Sequence, residues 1–287
     1  MGSYNNGIIR ESGGAIVRNN GHCISVSRVE SDLVELCWPL ANYGRGLLPN
    51  SSPTQQLSAS DLIIVSIPNL AEWFDPAFGI VEDMNGVSAW STREIAGESL
   101  TLYQPTQVNR PTTSAGLMSL DGSQWMSGVV PLTSGPFTAF IVVDFKEKTG
   151  IGPDVVFDIT NTAQNEGWRI QGQTFLGITS IGAGFNGSGI VSPIEAVPTS
   201  KLILRLTEEV TERTLAVNGS GLGSVVGPYN PAFAPDKFYL GTNSFSTTSN
   251  VLSADVGDFI IYSRALTTLE NTQVENALSV KYNIPLY

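Results

Sequence analysis

The last thirty residues constrain the fold of this chain more than any other segment. Residues 259–262 read Phe-Ile-Ile-Tyr, an apolar run of β-favouring residues that is typical of a strand buried on both faces. Thr267 then stands three residues before Glu270, the spacing of a capping box, which predicts that a helix starts there. Since almost no other stretch shows helical periodicity, we expect one closing strand followed by one short helix.

The predicted helix has one face suited to docking. Val274, Ala277, Leu278 and Lys281 fall at positions i, i+3, i+4 and i+7, so three small or apolar groups share that face. We therefore expect Leu278 to be buried against the rest of the protein. Lys281 lies in the last turn, where a cation suits the helix dipole, and Asn283 favours a left-handed cap.

This ending resembles the final segment of the laminin-G-like branch of concanavalin A-type jelly-roll domains, as found in bacteriophage and bacterial surface proteins. Those segments read like I-I-Y-x-R-A-L, followed by V-x-x-x-L-x-x-K-Y-x-I. The matching residues are Ile260, Ile261, Tyr262, Arg264, Ala265, Leu266, Val274, Leu278, Lys281, Tyr282 and Ile284. The resemblance implies a fold and says little about an activity.

Earlier landmarks extend the resemblance to residues 70–285. Tryptophans stand at three of these landmarks, and we expect all three rings in the core: Trp73, Trp90 and Trp125. Residues 136–145 resemble the central core strand of the group, and residues 238–241 resemble the strand that usually faces the terminal one.

Composition supports a β-rich chain. Only 14% of the residues are charged and 29 are glycine, which suits many short strands joined by tight turns. Leu202, Leu204 and Leu206 alternate, and Asn218-Gly219 further on is a strong tight-turn signal. We therefore predict an all-β, antiparallel jelly-roll sandwich of the concanavalin A type with one short C-terminal helix.

The first 60 residues lie outside the resemblance. Residues 15–17, 23–26 and 33–38 read as short strands, residues 49–56 read as a proline-punctuated linker, and residues 62–67 read as a further strand. Because three short strands bury little apolar surface, we expect residues 1–60 to form a small β-rich attachment and oligomerisation segment. Residues 61–287 are then the jelly roll.

Charge and hydropathy exclude several classes of partner. The net charge is −11 and the basic residues form no cluster, so we expect no nucleic-acid partner. No apolar run approaches the roughly 18 residues of a membrane span, and the N-terminus lacks a secretion pattern, which predicts a protein made in the cytoplasm. Cys23 and Cys37 can face each other across a hairpin, although a reduced buried pair suits a cytoplasmic product better.

The sequence predicts no catalytic residues. Glucanase relatives of this fold carry paired carboxylates in a strand, roughly E-x-D-x-x-E, so that both point to one face. The nearest match is residues 208–212, which read Glu-Glu-Val-Thr-Glu and are better interpreted as a charged hairpin loop.

No cofactor is predicted, although calcium is left open. Loop oxygens for calcium are available on Asp154, Asp158 and Asn161 near Glu166, and elsewhere on Asp83, Asp121 and Asp255. None of these residues forms a motif of known spacing. A solvated loop or a turn cap is the favoured interpretation for each.

Sugar binding requires exposed aromatic rings with amides nearby, because a flat ring packs on the apolar face of a pyranose. Trp168 with Asn165, and Tyr229 with Asn230, are the candidate carbohydrate-binding residues. For Trp168 a core position is narrowly favoured, because residues 168–170 also read as a strand.

The resemblance implies a structural protein of a bacteriophage virion, of the capsid decoration, knob or fibre type. Such a protein displays a lectin-like domain with weak adhesion to host-surface glycans and contacts other virion proteins through its N-terminal segment. We expect a homo-oligomer, with threefold association as the favoured state. The alternatives are a bacterial carbohydrate-binding module or surface lectin and, less favoured, a glycan hydrolase.

Overall fold

The chain divides into two compact units, Met1–Ser66 and Ile67–Tyr287. This division lies six residues beyond the predicted boundary at residue 60. The computed structural model describes residues 8–11, 14–19, 22–27, 33–37, 56–93, 100–129, 135–146, 154–161, 166–175, 178–185, 188–194, 201–226, 235–243 and 251–287.

The first unit contains one antiparallel sheet, whose strands pair in chain order. Its strands are β1 (Ile8–Glu11), β2 (Gly14–Asn19), β3 (His22–Ser27), β4 (Leu33–Cys37) and β5 (Gln56–Ser58). Asn19 at the end of β2 pairs with His22 at the start of β3, and the two strands run antiparallel. Cys23 pairs with Cys37, so these residues do lie opposite each other on neighbouring strands.

A helix, α1 (Ala59–Ser66), follows β5, and the strand predicted at residues 62–67 is therefore wrong. The backbone N–H of Asp61 donates to Ser58 Oγ at 3.2 Å, and the backbone N–H of Ser58 donates to Asp61 Oδ2 at 3.1 Å. This reciprocal pair satisfies two N–H groups at the helix start. The apolar run that follows the pair therefore becomes a helix.

The second unit is built almost entirely of strands. In chain order they are β6 (Leu70–Phe74), β7 (Ile80–Asp83), β8 (Gly86–Ser91), β9 (Thr101–Tyr103), β10 (Thr112–Ser114), β11 (Leu117–Asp121), β12 (Met126–Gly128), β13 (Phe137–Phe145), β14 (Asp154–Asn161), β15 (Glu166–Phe175), β16 (Ile178–Phe185), β17 (Ser188–Ile194), β18 (Leu202–Glu208), β19 (Glu212–Val217), β20 (Ser220–Val226), β21 (Lys237–Leu240) and β22 (Ser253–Tyr262).

These strands form two antiparallel sheets. Sheet 1 has eight strands in the order β10-β11-β22-β13-β18-β19-β20, with β6 pairing along the second half of β22. Sheet 2 has nine strands in the order β17-β16-β15-β14-β21-β12-β9-β8-β7. The antiparallel sandwich predicted from the sequence is confirmed.

The core of the second unit lies between the two sheets. Phe238 of sheet 2 stacks on Phe259 of sheet 1, with ring centroids 5.1 Å apart and planes inclined by 6°. This contact confirms that residues 238–241 face the terminal strand. Trp73 and Trp90 are buried as predicted, whereas Trp125 is partly exposed, so its predicted core position is wrong.

The C-terminal helix, α2 (Thr268–Tyr282), confirms the sequence interpretation in detail. Thr267 and Glu270 form the capping box, and Asn283 adopts the left-handed conformation with φ of 53°. Leu278 is fully buried. Arg205 of β18 contacts Glu275 of the helix at 3.1 Å, which places α2 on the face of sheet 1 that points away from the core.

Neither helix among the described residues is long and apolar enough to cross a membrane.

Candidate functional site

Of the four predicted carbohydrate-binding residues, the structure describes only Trp168. Its side chain is 2% exposed, and its ring centroid lies 4.7 Å from that of Phe137. This agrees with the core position that was narrowly favoured. Asn165, Tyr229 and Asn230 lie outside the described residues, so their role in binding stays a prediction.

The candidate calcium ligands fall into two groups. Asp83 accepts a hydrogen bond from the backbone N–H of Asn85 at 2.7 Å, and Asp121 accepts one from that of Ser123 at 3.0 Å, so both cap turns as predicted. Those two residues end β7 and β11, whereas Asp154 begins β14 and Asp158 and Asp255 lie inside strands, so for these three the loop interpretation is wrong.

The strand aspartates already have polar partners. Asp154 accepts from the backbone N–H of Ser253 at 3.3 Å, and Asp255 pairs with Lys146. Within the described ranges, no group of three or more His, Cys, Asp or Glu side chains is placed to hold a metal ion.

The glutamates at residues 208–212 belong to a hairpin, as predicted. The backbone N–H of Glu209 donates to the carbonyl of Glu212 at 2.8 Å. Glu208 is buried and accepts two hydrogen bonds from Arg213, from Nε at 2.5 Å and from Nη2 at 2.9 Å. Because both carboxylate oxygens are bonded to the guanidinium group, Glu208 acts as a structural ion-pair partner.

A different candidate site lies on the outer face of sheet 2. Successive residues of a strand point to opposite faces of a sheet, and directly paired residues on neighbouring strands share a face. Leu102, Met126, Phe238 and Leu240 are in the core. Their neighbours Tyr103, Ser127 and Tyr239 therefore point away from it.

The strand register connects these outward residues across the sheet. We call the resulting line of directly paired residues the cross-sheet row. Its members are Val81, Ala89, Tyr103, Ser127, Tyr239, Asp158 and Arg169, on β7, β8, β9, β12, β21, β14 and β15.

The middle of the row combines aromatic rings with hydroxyl groups. Tyr103 is 56% exposed, and Ser127 and Tyr239 are half-buried. Trp125, two residues before Ser127, places its ring 6.4 Å from that of Tyr239. Two tyrosines therefore flank one serine on adjacent strands, and a third aromatic ring supports one of them.

A buried ion pair continues the row beyond Tyr239. Asp158 is fully buried, and Arg169 Nη2 lies 3.4 Å from its Oδ2 atom. Burial first, and then the nearby carboxylates of Asp158 and Asp236, raise the pKa of Tyr239. The Tyr239 hydroxyl therefore keeps its proton at neutral pH and can both donate and accept hydrogen bonds.

No protein-family model matches the chain, and no curated protein matches it. Among solved structures, the Trypanosoma rangeli sialidase in complex with sialic acid is similar, with a TM-score of 0.56, 13% identity, and coverage of 93% of this chain and 44% of the sialidase chain. The botulinum neurotoxin serotype D binding domain gives a TM-score of 0.53 and 12% identity, covering 78% of this chain and 56% of that chain.

A third similar structure is a botulinum neurotoxin type C, whose cell entry depends on interaction with two ganglioside molecules. It has a TM-score of 0.50 and 11% identity, over 75% of this chain and 52% of that chain. The present chain thus spans about half the length of the chains it resembles. The shared fold is an antiparallel β-sandwich.

The structure also contains a buried ionic cluster under α2, which we call the helix anchor. It comprises Asp75, Arg93, Asp258, Lys281 and Tyr282. Asp75 and Asp258 are at most 1% exposed. A ligand in solution has little access to these carboxylates, so the cluster holds the helix in place and the cross-sheet row remains the candidate binding site.

Proposed function

We propose that the second unit is a carbohydrate-binding domain and that the cross-sheet row is its binding surface. The observation that carries this proposal is the pair of tyrosines, Tyr103 and Tyr239, on either side of Ser127. A phenol ring packs against the apolar face of a pyranose, while hydroxyl groups meet the sugar hydroxyls. The ganglioside dependence of the fold's toxin relative supports the same use of such a sandwich.

We propose binding without hydrolysis. Glycosidases use two carboxyl groups, about 5–5.5 Å apart in retaining enzymes and about 6.5–9.5 Å apart in inverting ones. Within the described residues, the row contributes one carboxylate, Asp158, which is buried and paired with Arg169. The sialidase shares the fold at 13% identity, which does not extend its chemistry to this row.

Replacing Tyr103 with alanine is expected to weaken glycan binding by about tenfold or more, equivalent to about 1.4 kcal/mol. The ring is exposed on the sheet surface, so its removal leaves the core intact. Binding is measured on a glycan array and then by titration calorimetry with the best ligand.

Tyr287→Ala is the matched control, because Tyr287 is 74% exposed and lies outside sheet 2. It is expected to bind like the wild-type protein. Equal affinities for Tyr103→Ala and the wild type, or absence of any glycan ligand on the array, contradict the proposed function.

The setting we propose for this domain is the surface of a bacteriophage virion, as a capsid decoration, knob or fibre protein. The support is the sequence resemblance of residues 70–285, together with the division of the chain into two compact units. In this proposal the first unit attaches the protein to other virion proteins and mediates oligomerisation, with a trimer as the expected state. The alternative is a bacterial carbohydrate-binding module or surface lectin.

Residues 67–287 produced alone are expected to form a folded monomer that binds the same glycan but does not join particles. A single small sheet of short strands generally offers limited apolar burial, so we expect pairing with further subunits to stabilise the first unit. Size-exclusion chromatography with light scattering gives the oligomeric state, and co-sedimentation with particles gives attachment. A shortened chain that remains oligomeric and still joins particles shows that the contacts lie on the jelly roll.

A further inference from the structure

We propose that the cross-sheet row binds the interior of an uncharged oligosaccharide chain that lies across the strands, rather than a single terminal sugar. This inference rests on the proposed carbohydrate-binding function of the same row. It adds the class of ligand, its minimum length and its direction on the sheet.

The length of the accessible row sets the length of the ligand. From Val81 to Tyr239 the row crosses the five neighbouring strands β7, β8, β9, β12 and β21. Four spacings of about 4.8 Å give roughly 19 Å, which accommodates several linked sugar residues. A site for one terminal sugar needs only a fraction of this distance.

The row is accessible over this whole section and open at one end. Val81 is 58% exposed and Tyr103 is 56% exposed, while Ala89, Ser127 and Tyr239 are half-buried. β7 is the last strand of sheet 2, so a bound chain can continue past Val81 into solvent. At the other end the row reaches Asp158, which is fully buried.

Charge favours a neutral ligand. The five side chains from Val81 to Tyr239 are uncharged, and the next two members of the row, Asp158 and Arg169, form an ion pair. The whole chain carries a net charge of −11. This net charge repels sulfated, sialylated and other polyanionic chains, whereas neutral sugars meet no electrostatic penalty.

The spacing of the two tyrosines in the row predicts which sugars of the ligand make the main contacts. Tyr103 and Tyr239 are two strand spacings apart, about 10 Å, with the Ser127 hydroxyl between them. This is the scale of a disaccharide, so two central sugars make the main contacts. Further sugars toward the sheet edge pack on Ala89 and Val81.

The experiment measures affinity against ligand length with the full chain. The probes are fluorescently labelled gluco-, galacto-, manno- and N-acetylglucosamine oligosaccharides from mono- to hexasaccharide, with heparin and sialylated oligosaccharides as charged comparators. Fluorescence anisotropy is expected to show affinity for one neutral series rising by about tenfold or more from disaccharide to tetrasaccharide, equivalent to about 1.4 kcal/mol. The charged series are expected to bind more weakly at equal length.

A matched pair of variants locates the outer contacts. Val81→Glu is expected to remove most of the gain in affinity between disaccharide and tetrasaccharide, and both affinities are measured. Val226→Glu introduces the same charge at an 82% exposed position on β20 of sheet 1 and is expected to change neither affinity.

The possible outcomes distinguish failure of this inference from failure of the proposed carbohydrate-binding function. Full affinity for a monosaccharide, with no gain on lengthening, overturns the extended-chain inference and leaves carbohydrate binding standing. A preference for the charged series overturns the inference in the same way. Absence of binding to every probe removes both the inference and the proposed function.

Discussion

Replacing Lys281 with alanine is expected to lower the free energy of unfolding by about 3–5 kcal/mol near pH 8, because it leaves buried carboxylates without their cation. Lys281 Nζ lies 2.8 Å from Asp258 Oδ2 and 3.3 Å from Asp75 Oδ2. Neither carboxylate is more than 1% exposed, so both depend mainly on protein groups to stabilise their charge.

The two carboxylates do not depend on Lys281 to the same extent. Arg93 Nη2 also pairs with Asp75 at 2.5 Å, and its guanidinium group stacks 4.5 Å from the centre of the Trp73 ring. Asp258 accepts instead from the Tyr282 hydroxyl at 3.0 Å, a neutral donor. Most of the loss on removing Lys281 is therefore expected to arise at Asp258.

Urea denaturation measures this loss, with Lys146→Ala as the matched control. Lys146 pairs with Asp255 at the protein surface, where its side chain is 41% exposed. Exposed ion pairs contribute about 0–1 kcal/mol, so the control is expected to fall within that range. Equal losses for the two lysine variants mean that Lys281 does not hold the helix anchor together.

A double-mutant cycle assigns the loss to Asp258. In an Asp258→Asn background the buried charge is absent, so Lys281→Ala is expected to cost clearly less than in the wild type. Additive effects of the two substitutions contradict this assignment.

The sequence predicted the end of the chain well because the determinants there are local. The Thr267–Glu270 capping box, the apolar face around Leu278 and the Asn283 cap lie within one helix and its ends. The same kind of signal was present before α1, where Ser58 stands three residues before Asp61. That spacing identifies the helix at residues 59–66, which the apolar run alone suggested was a strand.

The role of Lys281 could not be predicted from the residues near it in the sequence. The sequence placed it favourably for the helix dipole, but its closest partners are 23 and 206 residues away in the chain. Gly257 is likewise explained by a contact with a residue that is distant in the chain. A Cβ atom there would lie 2.9 Å from the Tyr282 ring, so glycine allows the helix end to approach β22. These contacts depend on tertiary packing, which the spacing of residues does not reveal.

The cross-sheet row could not be found from the sequence for the same reason. Alternation in Phe238-Tyr239-Leu240 indicates that Tyr239 points away from its two neighbours. Alternation does not say that Tyr239 pairs with Ser127, or that Ser127 pairs with Tyr103. β9 and β12 are separated in the chain by two other strands, and β12 and β21 by eight, so their register is set by the whole sandwich.

The stability of the protein is expected to fall as the pH rises from about 4 to about 7, and Asp258 is the main cause. Burial raises the pKa of Asp258 from 3.8 to about 7, opposed by Lys281 and assisted by the nearby Asp75. Between these two values the folded protein holds a proton that the unfolded chain has lost. The folded state therefore binds more protons, and the free energy of unfolding decreases with increasing pH in this window.

The expected size of the effect is large. The two pKa values of Asp258 differ by about three units, and each unit corresponds to about 1.4 kcal/mol, so the contribution lost across the window is up to about 4 kcal/mol. Burial also raises the pKa of Glu275 and of Asp144, which adds to the effect with the same sign. The pKa of Glu270 is lowered by Arg264, and its contribution has the opposite sign.

Urea denaturation at a series of pH values, with Asp258→Asn beside the wild type, tests this prediction. Asparagine fills nearly the same volume and does not titrate, so the variant is expected to show a much flatter dependence between pH 4 and pH 7. Glu209→Gln, which removes a carboxyl group from an exposed position of the β18–β19 hairpin, serves as the control and is expected to keep the wild-type slope. If Asp258→Asn and the wild type give parallel curves, the proton taken up on folding does not reside on Asp258, and the helix anchor holds that carboxylate ionised throughout.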